Sequence, residues 1–161
     1  YGIIYGIGDT RLGAVVGKSS QEGKRIKAKI FEALPALKQL RDNVIIASRN
    51  KKYLLGLDKR KLIPRSEHSS LNLLIQSCGA LIIKMATVIL HKKLEEKKYD
   101  KNICTMVAHV HDELQLQCKS DYADEVGKIA VQSIKDAGTY FNLRCPLDAE
   151  YKIGNNWANT H

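Results

Sequence analysis

The chain has no Cys-x-x-Cys pair. Its four cysteines, Cys78, Cys104, Cys118 and Cys145, are far apart, and three occupy apolar positions of periodic segments. That pattern reads as reduced core thiols of a cytosolic protein rather than a disulfide framework. A zinc site using Cys104, His109 and His111 is disfavoured, because the spacing matches no common zinc motif. No uninterrupted apolar run reaches the roughly 20 residues that span a bilayer, so no membrane partner is expected. No signal peptide is expected, and the residues show no internal repeat or low-complexity tract. No Met precedes Tyr1, and a Gly-rich apolar segment is already under way there, which reads as part of a longer polypeptide. Acids are scarce: 17 Asp and Glu face 26 Lys and Arg, a net charge of +9. The excess fits a polyanionic partner, although net charge does not say where the charges lie.

What is present suffices for a core, with 44% hydrophobic residues in 161. Ser19-Ser20-Gln21-Glu22 has the form of a capping box opening a basic helix, with Ile26, Ile30 and Phe31 inward. Pro35 starts a new helical turn, and Leu37, Leu40, Val44 and Ile45 continue the apolar stripe. Gly56-Leu57-Asp58-Lys59-Arg60 is the turn of a short hairpin within the basic stretch 49–65. Ser69 or Ser70 caps a long helix whose buried stripe is Leu71, Leu74, Ile75, Cys78, Ile82, Met85 and Ile89. That helix ends near Lys98. Alternation in Met106–Gln117 predicts two strands, with Met106, Ala108 and Val110 on one face before the acids and Leu114, Leu116 and Cys118 on one face after them. Ser120 or Asp121 caps a further helix with Val126, Ala130, Ile134 and Ala137 inward. Pro146 opens a final strand, Leu147 to Ile153. Helices and strands are segregated, so the class is α+β.

Four groups of residues carry chemistry. Val110-His111-Asp112-Glu113 interrupts the alternation at a hairpin tip, where the Asp112 carboxylate can meet a cation and a phosphate. Mg²⁺ takes a few carboxylates plus phosphate oxygens and water, and two-metal phosphoryl transfer needs a second carboxylate from elsewhere. Acids are also common in plain turns. A His-Asp metal pair of the phosphohydrolase kind would sit on a helix, and this one sits in a strand pattern. His68, Asn72 and Gln76 stand at i, i+4 and i+8 on one helical face. Their polar groups can meet minor-groove acceptors shared by all base pairs, or simply face solvent. Tyr1-Gly2-Ile3-Ile4-Tyr5-Gly6 offers aromatics for base stacking beside glycines that allow close approach, or for core packing. Lys18, Lys24, Arg25, Lys27, Lys29, Arg41, Arg49, Lys51 and Lys52 could track phosphates, or form solvated faces.

The order of these groups is more specific than any one of them. Tyr-Gly-x-x-Tyr-Gly, a basic helix, Arg65-Ser66-x-His68-x-x-Leu71-Asn72-x-Leu74-x-Gln76-Ser77-x-Gly79-Ala80-Leu81-Ile82-x-Lys84, Val-His-Asp-Glu and Asn155-Asn156-Trp157 together resemble the C-terminal part of a family A (DNA polymerase I-like) DNA polymerase. The similarity covers essentially the whole chain and is greatest to replicative polymerases of short-tailed phages.

The resemblance implies a right-hand polymerase fragment, with residues 1–60 the C-terminal part of the fingers and residues 61–161 the palm. Tyr1, Tyr5 and Gly6 would contact the incoming nucleotide, Tyr1 at its sugar and Tyr5 near the templating base. His68, Asn72 and Gln76 would contact primer-template DNA, with Arg60 beside them. Many bacterial members carry Arg at the position of His68. Asp112 would bind metal, with Glu113 beside it and His111 near the primer end. The cofactor would be two Mg²⁺ ions. The partners would be primer-template DNA, deoxynucleoside triphosphates and the N-terminal remainder of the polymerase, which holds the other metal-binding Asp. The place would be the cytoplasm of a bacterial or phage-infected cell. The chain alone would then be inactive. A DNA-binding module without catalysis and a structural subunit, each derived from a polymerase, are the rival readings.

Overall fold

The structure, a computed structural model, describes residues 2–160. It divides into two compact units, Tyr1–Cys78 and Gly79–His161.

The first unit holds α1 (Asp9–Val15), α2 (Ser20–Ala33), α3 (Pro35–Lys51), β1 (Leu54–Leu55), β2 (Lys61–Leu62) and the first turns of α4 (Ser70–Glu96). Ser19 caps α2 by accepting from the Glu22 backbone N–H, while the Glu22 carboxylate turns instead to Arg25 at 2.6 Å. The helices α1 and α2 touch backbone to backbone. A Cβ on Gly23 would lie 2.1 Å from the Asp9 carbonyl oxygen, so only glycine permits the approach. Pro35 occupies the first turn of α3, where a missing N–H costs nothing. Val44, Leu54 and Leu71 form the core, with Ala47, Leu62 and Leu74 against them. Two buried hydroxyls tie α4 to α3, with Ser70 Oγ 3.2 Å from Ser48 Oγ. β1 and β2 pair antiparallel around the Gly56–Arg60 turn. Leu40, expected inward, is exposed.

The second unit holds the rest of α4, β3 (Cys104–Val110), β4 (Glu113–Cys118) and α5 (Ala123–Tyr140). Leu90, Leu94, Cys104 and Val126 are its core, joined by Leu114, Leu116, Cys118 and Ile129. Lys93 Nζ pairs with Asp136 Oδ2 at 2.5 Å, tying α4 to α5. Lys97 and the Tyr99 hydroxyl both reach the Glu125 carboxylate at 2.5 Å.

Further expectations need correction, beginning with Ile75 of the expected buried stripe, which is exposed. The segment Leu147–Ile153 forms no strand, since no partner strand is present among the described residues. The alternation there records sidedness instead, because Leu147 packs on Gly138 of α5 and Tyr151 on Gly127. Met106 does not share a face with Ala108 and Val110. A bulge between Met106 and Ala108 shifts the register, and one extra residue exchanges the faces on its two sides. The caps differ as well. Ser66, not Ser69 or Ser70, accepts from a backbone N–H at the 3-10 turn Glu67–Ser69 that leads into α4. The 3-10 turn Ser120–Tyr122 that leads into α5 has no side-chain cap. Lastly, Glu67–Glu96 is long and apolar enough to cross a membrane by length and composition, with mean hydropathy 2.0 in its best stretch. Gln76, Ser77 and Lys84 break the uninterrupted run without lowering that mean enough to matter. Only 11% of that stretch is buried within the structure.

The α4–α5 pairs make stability depend on acid. The Lys93 ammonium, helped by the Gln132 amide, holds Asp136 below its ordinary 3.8. Lys97 and then Tyr99 hold Glu125 below its ordinary 4.5. Both folded pKa values are depressed, so this stabilisation is present above the unfolded values and lost as pH falls through the folded ones. The thermal midpoint should therefore fall as the chain is taken below about pH 4. Asp136→Asn should be less stable at neutral pH and show a shallower fall, the two curves converging in acid. Parallel curves would show that the pair does not contribute.

Candidate active site

The register of β3 and β4 places Asp112. Val110 pairs with Glu113, leaving only His111 and Asp112 to turn the chain. A two-residue antiparallel turn needs positive φ, and His111 supplies it at φ 55°. Histidine adopts that region more readily than most side chains. The His109 ring holds the turn, its Nε2–H donating to the His111 carbonyl oxygen at 3.1 Å. In the sequence His109 stood out only as a candidate for the disfavoured zinc site. The signal was its position two before His111, at the end of a strand. Asp112 is exposed at the tip. Glu113 is half-buried, and its carboxylate accepts from the Gln115 amide. Among the described residues no group of three or more His, Cys, Asp or Glu side chains is placed to hold a metal ion. An exposed Asp carboxylate is one of the oxygen ligands that suit Mg²⁺.

A second cluster lies in the first unit. Gly6 has φ 77°, and a Cβ there would stand 2.7 Å from the His68 carbonyl oxygen. The turn over residues 2–6 therefore sits directly on the start of the His68 face. Gln76 Nε2 donates to the Tyr5 hydroxyl at 2.9 Å. Tyr5, Gly6, His68 and Gln76 were singled out as two separate groups and are brought together here. Asn72 stands between them on the helix, with its Oδ1 buried and unpartnered in the structure. Tyr1 lies outside the described residues.

Many of the basic residues are already committed. Lys27 donates to the Ile7 carbonyl and to Asp9 at 3.0 Å. Arg25 pairs with Glu22, and Arg49 grips Glu67 with two bonds of 2.6 Å. Arg41 lies over the Phe31 ring. Arg60 pairs with Asp58 at 2.9 Å yet stays largely exposed.

A profile of DNA polymerase family A matches residues 1–159. The chain belongs to DNA polymerase family A. It is 35% identical to the DNA-directed DNA polymerase of Escherichia phage T7, over 100% of this chain and 25% of that protein. Against the DNA-directed DNA polymerase of Escherichia phage Phieco32 the identity is 33%, over 100% of this chain and 27% of the relative. Against DNA polymerase I of Caldicellulosiruptor bescii it is 30%, over 99% and 20%. The chain thus spans about a quarter of the length of its phage relatives. The fold matches the POL domain of Pol1 from M. smegmatis with a TM-score of 0.77 at 21% identity, over 93% of this chain and 27% of that one. That structure is a complex with DNA primer-template and dNTP.

Gly6→Ala should destabilise the first unit by about 1–3 kcal/mol, from the positive φ and the contact with an unyielding carbonyl. Gly8→Ala, where nothing lies within 4 Å, should change stability by less than about 0.5 kcal/mol. Urea unfolding of both variants is the measurement. Equal effects would place the 2–6 turn away from His68 in solution.

Proposed function

We propose that the chain is the end of the fingers (1–60) and most of the palm (61–161) of a DNA-directed DNA polymerase. The whole enzyme adds deoxynucleotides to a primer 3′ end on a DNA template. The observation that carries the reading is the two-residue turn that lifts Asp112 to the tip of β3–β4 in a chain of family A.

In this reading Asp112 is a ligand of Mg²⁺. Two such ions, when bound, activate the primer hydroxyl and stabilise the leaving pyrophosphate. Glu113 buttresses the turn through Gln115, and His111 lies near the primer end. Tyr1, Tyr5 and Gly6 receive the nucleotide. His68, Asn72, Gln76 and Arg60 contact the duplex. The rest of the protein supplies the second metal-binding Asp, and it covers the apolar length of α4. A helix apolar all round is covered either by protein or by lipid, and family membership favours protein. The enzyme works in the cytoplasm of a bacterial or phage-infected cell.

The chain alone should not extend a primer with Mg²⁺ and all four deoxynucleotides, because it holds one of the two metal-binding acids. Robust extension by the purified chain would overturn the fragment reading. In the completed enzyme Asp112→Ala should abolish extension and leave DNA binding largely intact. Activity within about tenfold of the unaltered enzyme, worth only ~1.4 kcal/mol, would remove Asp112 from the metal site.

Tyr1 carries a separate expectation. A phenol hydroxyl can replace the hydrogen bond that a sugar 3′-hydroxyl would make, and a phenyl ring cannot. The completed enzyme should accept dideoxynucleotides, and Tyr1→Phe should reject them while using normal nucleotides similarly. The ratio of kcat/KM for the two nucleotide forms is the readout. An unchanged ratio would show that Tyr1 does not sense the sugar.

A further inference from the structure

We propose that Cys104 and Cys118 form a redox-active pair that closes into a disulfide across the base of the β3–β4 hairpin when the chain meets a small disulfide oxidant. The two face each other as the first pair of the ladder, and both are free thiols. The hydrogen bonding identifies the kind of pair. Lys119 N–H donates to the Ile103 carbonyl at 2.9 Å, one residue outside Cys104 on one strand and one outside Cys118 on the other. The bond flanks the cysteines, which makes theirs a non-hydrogen-bonded pair. In such a pair the Cα atoms approach to about 4.5 Å and the side chains lie on the same face. That separation falls within the range of about 4.4–6.8 Å that a disulfide spans.

The surroundings order the chemistry. Cys104 is only 6% exposed, whereas Cys118 is half-buried. Cys118 is therefore the point of entry. Its thiolate attacks one sulfur of the oxidant and forms a mixed disulfide, displacing one small thiolate. Cys104 then attacks the Cys118 sulfur and displaces the second group as another thiolate. Two protein thiols lose two protons and two electrons. The oxidant accepts them and leaves as two thiols. Burial pushes both protein thiols up, and the nearby Cys118 adds to the effect on Cys104. The reaction is thus slow at neutral pH and is best observed at about pH 8.5 or above.

The bond would enclose the whole hairpin, including the His111–Asp112 turn. Fraying of the ladder from its open end would then be blocked. This inference holds whether or not Asp112 binds metal.

The experiment treats the purified chain, carrying Cys145→Ser to remove the exposed competitor, with glutathione disulfide. Peptide mapping should find Cys104 linked to Cys118, reversed by dithiothreitol. Amide exchange in the hairpin should slow by about tenfold or more on oxidation, while α2 and α3 stay unchanged. Glutathione left on Cys118, a link from either cysteine to Cys78, or both thiols intact after exhaustive treatment would each overturn the proposal. The linkage is read in a chain with native hairpin residues, so a folding defect from mutating the pair does not enter.

Discussion

The constraint on which the candidate site depends is the cross-strand pairing of Val110 with Glu113. It leaves two residues to reverse the chain, and one must adopt a left-handed backbone. His111 takes that strain, and the His109 ring secures its carbonyl. The cost of a left-handed non-glycine residue is of order 1–3 kcal/mol. Glycine at 111 would remove the strain and also the imidazole beside Asp112. The bulge at Val107 belongs to the same design. It turns Ala108 and Val110 to the face shared with Glu113, while Leu114, Leu116 and Cys118 stay on the core.

The long helix α4 belongs partly to each of the two units. Leu71 and Leu74 at its start belong to one core, and Leu90 and Leu94 near its end to another. Between them Ile75 and Val88 are exposed. A length so apolar and so little buried is not at rest in water. At roughly 25 cal/mol per Å² the exposed apolar surface favours a covering partner by several kcal/mol. The modest cores of both units are consistent with a chain that spans a quarter of its relatives.

Much of this is legible in the sequence. Periodicity located α2, α3, α5 and the β3–β4 hairpin, because one face of each is apolar, and the length of the apolar stretch located α4. The Pro35 boundary and the Ser19 cap followed from backbone chemistry. What escaped the sequence was pairing between distant residues. Nothing in Leu147–Ile153 reveals that its inward side chains meet glycines of α5 rather than a sheet. Nothing local marks Val107 as the bulge, since an apolar residue there suits either face. The proximity of Tyr5 to Gln76 is equally nonlocal, 71 positions apart. The roles assigned to Tyr5, Gly6, His68, Asn72, Gln76 and Asp112 came from the order of motifs, and the geometry adds which of them are neighbours.

The charge balance also changes meaning once contacts are known. A net charge of +9 suggested a polyanion partner, yet Arg25, Lys27 and Arg49 are bound to Glu22, Asp9 and Glu67. These cations hold helices and turns in place, and a phosphate would have to compete with a carboxylate already at contact distance. Phosphate contacts work by releasing counterions, and a lysine already neutralised by a neighbouring acid has few to release. Lys51, Lys52, Lys59 and Arg65 lie exposed around the β1–β2 hairpin, close in sequence to His68. Lys18, Lys24 and Lys29 on or beside α2 are exposed as well, so the ion pairs reduce the number of cations that composition counts without confining the remainder to one stretch.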